Sequence, residues 1–193
     1  MRKIIILMVF GLVLSLAISA QATTIYTNYP SFVAAFSSPT VENFEDTILQ
    51  PGLSVVSTYP NAVIADGVYK DRVGGGSNYT TTWSQSSGFK AFGGWFDLFF
   101  PGGPGTGIKV TVVDTGEVIG EIPNTYEGEF WGFSTGYIFN QILLSGGSQS
   151  GNFETYWNVD LAYAPIPEPA TMLLLGSGLI GLAGFARRKF RKN

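Results

Sequence analysis

The sequence predicts a mainly β fold, an antiparallel β-sandwich of jelly-roll type with one short N-terminal helix, set between an apolar leader and an apolar tail. Three observations predict it. About ten short β-prone segments follow one another between Gly, Pro or Asn residues, with almost no helical periodicity. Aromatic residues make up 15% of the chain, and its 25 glycines suit tight turns between strands better than a helical bundle. Where the patterning is clean it has period two: Ile108, Val110 and Val112 alternate with Lys109 and Thr111.

The chain of 193 residues opens on Met1-Arg2-Lys3, an apolar run from Ile4 to Ile18, and Ser19-Ala20-Gln21-Ala22. A positive start, an apolar stretch and a small-x-small site make a secretory signal over 1–22. Cleavage is expected after Ala22, with Ala20 and Ala22 as the small residues that a signal peptidase accepts.

The middle region, 23–164, has the size of one domain with its own core. Thr24–Thr27 is a first short strand, and Asn28-Tyr29-Pro30-Ser31 starts a helix through Phe36 with Phe32, Val33 and Phe36 on its apolar face. Strands are expected at 41–45, 53–58, 62–65, 79–84, 89–99, 108–113, 117–122, 129–134, 137–145 and 153–163. Val113-Asp114-Thr115-Gly116-Glu117-Val118 reads as a hairpin. In the last strand Phe153, Thr155, Trp157, Val159, Leu161 and Tyr163 share one face opposite Asn158 and Asp160, which assigns Trp157 to the core.

The remainder, 165–193, begins Pro165-Ile166-Pro167-Glu168-Pro169. Residues 170–186 carry no charge and, as a helix rising about 1.5 Å per residue, are long enough to cross a thin bilayer. Gly176, Gly178, Gly181 and Gly184 suit helix packing in lipid. The basic tail 187–193, with Arg187, Arg188, Lys189, Arg191 and Lys192, holds that end in the cytoplasm.

Composition excludes several functions. With neither Cys nor His in the chain, thiolate nucleophiles, Ser-His-Asp triads, imidazole zinc sites and disulfides are all ruled out. From Glu42 to Glu168 fourteen acids face four cations, a net charge of −10 that repels nucleic acid. No pair of carboxylates stands out as a glycosidase would need, so no catalytic residues are assigned and the protein is read as non-enzymatic.

Pro167, Glu168 and Pro169, then a glycine-rich apolar helix, then an Arg/Lys cluster closely resemble the PEP-CTERM sorting signal of Gram-negative bacteria that make exopolysaccharide. The resemblance implies an exosortase that cuts near the Pro-Glu-Pro motif, where three prolines hold the backbone extended and open to a protease. It also implies a single-pass inner-membrane intermediate and a final place at the cell surface or in the extracellular matrix, associated with exopolysaccharide or biofilm.

Asn43-Phe44-Glu45, Gly93-Gly94-Trp95-Phe96-Asp97 and Val159-Asp160-Leu161 resemble ectodomains of such proteins and jelly-roll carbohydrate-binding modules. That likeness implies a structural calcium ion, the one cofactor expected, shared by Glu45 and Asp160. Among the tryptophans, Trp95 and Trp131 are the ones left to stack on sugar rings. A carbohydrate-binding module using exposed aromatics is thus the alternative to a structural surface protein, and a polysaccharide-active enzyme ranks third.

Overall fold

A computed structural model describes residues 22–36 and 38–165. The strands are β1 (Thr24–Tyr26), β2 (Thr40–Glu42), β3 (Leu53–Ser57), β4 (Val63–Ala65), β5 (Val68–Gly74) and β6 (Thr81–Asp97), then β7 (Ile108–Val112), β8 (Glu117–Ile122), β9 (Glu127–Gly146) and β10 (Phe153–Pro165). A single helix, α1 (Tyr29–Phe36), follows β1. All strand pairings are antiparallel, as expected.

The ten strands form one hydrogen-bonded sheet that folds over itself into two layers. β6 and β9 run through both. In the first layer, Thr81–Gln85 of β6 pairs with β3 and with the end of β9, which carries the β7–β8 hairpin. In the second, Phe89–Asp97 of β6 lies between the start of β9 and β10. β1 flanks β9, β2 flanks the C-terminal half of β10, and β5 with β4 flanks its N-terminal half.

The register of β6 on β9 shifts between Ser84 and Phe89, and again between Phe89 and Ala91, where the strands bend from layer to layer. Sequence reading split β6 at Gln85–Gly88 and β9 at Thr135–Gly136 because polar and small residues gather there. The ladder instead continues through both bends.

Apolar side chains meet between the layers. Trp83 packs edge-on to Tyr69 with ring centroids 5.1 Å apart, Phe96 lies against Tyr156, and Phe89, Phe133 and Phe139 stack. Val110, Ile142 and Leu144 complete this core, all fully buried. A smaller cluster covers the outer face of the second layer, where Phe32 of α1 sits on Phe130, Ala162 and Ala164. Asn28 caps that helix by accepting from the Ser31 N–H at 3.0 Å. The β7–β8 turn closes with the Gly116 N–H on the Val112 carbonyl at 2.9 Å, and Gly116 takes the positive φ of 71° that the turn requires.

β5 is the strand that the sequence concealed. Tyr69, Asp71 and Val73 point inward while Lys70 and Arg72 point out. The run Lys70-Asp71-Arg72 puts charge on both faces and hides the alternation. Asp71 is buried yet satisfied: it accepts from Ser57 Oγ at 2.9 Å, Tyr69 Oη at 2.6 Å, the Arg72 N–H at 2.7 Å and Thr81 Oγ1. This carboxylate ties β3 and β6 of one layer to β5 of the other.

Candidate functional site

The last strand carries two phases of side chains. In its first half Glu154, Tyr156 and Asn158 face the interior, and Thr155 and Trp157 face out. The pairing with β6 then shifts register between Asn158 and Leu161, and Leu161 and Tyr163 become the inward residues. Trp157 is therefore not a core residue. The expectation of one unbroken apolar face fails because the bulge reverses the phase.

Trp157 anchors an aromatic and cationic strip along the outer side of β5 and β10. Phe100, 76% exposed, lies against it with centroids 5.9 Å apart, and the Lys70 ammonium stands 5.5 Å from its ring. Further along, the Arg72 guanidinium lies between two rings, 4.2 Å from Phe153 and 5.1 Å from Tyr59, and its Nε donates to Thr155 Oγ1 at 3.2 Å. Phe153 is 40% exposed. Tyr79 continues the row, 5.1 Å from Tyr59. Lys70 and Arg72 are two of the four cations in the acidic middle region. Lys70 also pairs with Asp66 at 2.6 Å, and that contact holds the Asp66 carboxyl below the usual carboxylate range.

Of the tryptophans expected to stack on sugar, Trp131 is buried and Trp95 is half-buried. Trp131 is 3% exposed and packs on Phe133 within the main core. Trp95 lies on the outer face but under α1, with Tyr29 at 4.6 Å and Phe130 at 5.1 Å. The helix covers one side of Trp95 and leaves it half-buried.

The acids expected to hold calcium do come near one another. Burial first, then the charges of Glu42 and Glu45, push the Asp160 carboxyl above its ordinary range. Glu45 is exposed and Asp160 half-buried. The third carboxylate, Glu42, is already committed to the following loop, accepting from the Phe44 N–H at 3.0 Å and the Gln50 N–H at 2.7 Å. Among the described residues no group of three or more acidic side chains is arranged to hold a metal ion.

β10 runs to Pro165, and residues 165–192 match the family model of the PEP-CTERM protein-sorting motif. The chain carries that sorting signal. The PEP-CTERM motif marks an exported protein. The expected motif residues Pro167, Glu168 and Pro169, the transmembrane helix 170–186, the basic cluster from Arg187 to Lys192 and the signal-peptide residue Ala20 lie outside the described residues. Ala22 is described and exposed.

No curated protein matches the chain in sequence. Solved structures similar to it include a mutant of a family 29 carbohydrate-binding module, at 12% identity and a TM-score of 0.49, covering 66% of this chain and 92% of that one. A family 29 module from Piromyces equi is similar at 9% identity and a TM-score of 0.43, over 75% and 91% of the two chains. A low-affinity xylan-binding module from Roseburia intestinalis is similar at 14% identity and a TM-score of 0.40, over 65% and 94%.

Proposed function

We propose that this PEP-CTERM protein is a non-enzymatic surface protein that associates with exopolysaccharide through the outer strip of β5 and β10. Signal peptidase removes the leader, exosortase processes the tail near Pro167-Glu168-Pro169, and the sandwich reaches the surface or matrix of a Gram-negative cell.

The observation that carries this reading is the grouping of Trp157, Phe100 and Phe153 beside Lys70 and Arg72 on an open sheet face. Aromatic faces accept the apolar C–H faces of sugar rings, and the cations and Thr155 offer partners to hydroxyl groups. From Phe153 to Trp157 the strand advances about 13 Å at roughly 3.3 Å per residue, enough to hold a short run of sugar units rather than a single one.

The test is affinity electrophoresis of the full-length protein, in mild detergent, through gels containing neutral and acidic polysaccharides. Retardation by at least one polymer is expected. Trp157→Ala should weaken it about thirtyfold, the effect of removing an anchor worth about 2 kcal/mol. If no polymer retards the parent, or if Trp157→Ala migrates as the parent does, the strip is not a sugar site.

A further inference from the structure

At the Phe153 end the strip opens into a cleft of about 300 Å³ between the two layers. One wall is the turn after β5, with Asn78, Tyr79 and Thr80, and the other is formed by Thr106, Lys109 and Ser145 of the opposite layer. Its floor exists because two backbones nearly touch. A Cβ on Gly146 would lie 2.9 Å from the Gly74 Cα, so only glycines let the layers meet there. The turn's backbone is locked by reciprocal bonds between Gly74 and Tyr79, at 2.8 and 2.9 Å.

The lining is chemically one-sided. Asn78, Thr80 and Asn152 bring amides and a hydroxyl, and the Ser145 Oγ, itself buried, has no hydrogen-bond partner. Lys109 supplies the charge. Its cross-strand neighbour Glu121 stays charged but forms no ion pair with it, because that carboxylate is turned to the Ser148 N–H, Ser148 Oγ and Gln149 Nε2 at 2.7–3.1 Å. Lys70–Asp66 is the one ion pair among the described residues. Lys109 is therefore an unpaired cation facing a pocket of hydrogen-bonding groups, in a region where acids outnumber bases by ten.

We infer that this cleft is the subsite for a carboxylate-bearing sugar, a uronic acid unit of the polysaccharide whose neighbouring units lie along the Phe153–Trp157 strip. The inference rests on the proposed polysaccharide reading and adds ligand class and polarity to it. Continuity supports the placement: Tyr79 lines the cleft and stands 5.1 Å from Tyr59, which covers Arg72 on the strip. The surrounding negative charge argues for a sparsely charged chain. A dense polyanion would be repelled by the rest of the surface, whereas a single carboxylate at Lys109 meets a local cation and is screened from more distant acids beyond about 10 Å.

The experiment compares neutral oligosaccharides carrying a single galacturonic, glucuronic or mannuronic acid unit with the methyl esters of the same molecules, by calorimetric titration of the full-length protein in mild detergent. At least one acid form is expected to bind about fivefold more tightly than its ester, in keeping with one partly exposed ion pair, and the gap should narrow with added salt. Lys109→Gln should remove that preference, so that acid and ester bind alike, while Trp157→Ala weakens both forms together. Equal binding of acid and ester, or a preference that survives Lys109→Gln, overturns the uronate subsite and leaves the strip standing. Binding of neither form, with no retardation by any neutral polysaccharide, sinks both.

Discussion

Glu154 is the group whose titration should be most visible in the stability of the sandwich. Its side chain is fully buried beneath the loop that leads into β7, where Oε2 accepts from the Gly107 N–H at 2.7 Å and Oε1 has no partner. Burial pushes this carboxyl from 4.5 up to about 7, against the opposing pull of the Gly107 and Gly105 amides. Because the folded state holds the proton more tightly than the unfolded chain, the native state is favoured at low pH. That advantage is lost as pH rises from 4.5 to about 7. At about 1.4 kcal/mol per unit the loss is about 3 kcal/mol.

Glu154→Gln keeps the shape and an oxygen for the Gly107 amide but has nothing to ionise. An unpartnered amide nitrogen in place of Oε1 costs about 1 kcal/mol, the same at every pH. The readout is therefore the change in the gap between variant and parent. Urea unfolding followed by tryptophan fluorescence should show the variant gaining about 3 kcal/mol on the parent between pH 4 and pH 8. A gap that does not change across this range would mean that the carboxylate is solvated or paired when charged, and the argument from burial would be refuted.

Two further outcomes follow from the network and the tail. Asp71→Ala should cost about 3 kcal/mol or more, measured by the same unfolding assay, because it strands the buried hydroxyls of Tyr69 and Thr81; a loss below about 1 kcal/mol would show that the network is dispensable. Replacing Pro167, Glu168 and Pro169 with alanine should leave uncut protein in the inner-membrane fraction, read by fractionation and mass spectrometry of the chain ends, and processing like the parent's would remove exosortase from the account.

What the sequence disclosed, and what it hid, follows from how local each signal is. The β7–β8 hairpin, the Asn28-capped helix and the sorting tail are written in contiguous residues, so they could be read directly. β5 was hidden because its inward Asp71 is satisfied by hydroxyls from distant strands, a partnership with no trace in neighbouring sequence. The strip was hidden for a related reason. Whether Trp95, Trp131 or Trp157 is open depends on where α1 docks and on one bulge in β10, and both are tertiary facts. Aromatic composition could not say which of these rings reaches the surface.

That bulge joins the structural and functional halves of the molecule. Before it, the outward side chains of β10 are Thr155 and Trp157 beside β5, uncovered by α1. Beyond it, the outward side chains are Ala162 and Ala164, small enough for Phe32 to lie over them and fix the helix. A strand with uninterrupted alternation would keep the Trp157 phase to its end and put Leu161 and Tyr163, now core residues, against α1. By changing phase once, β10 seals the sheet with a helix at the end nearest the sorting motif and leaves a sugar-compatible face at the other. The proposed binding strip and the first residue of the sorting motif therefore sit on a single strand, bonded along its length to β6, β5 and β2.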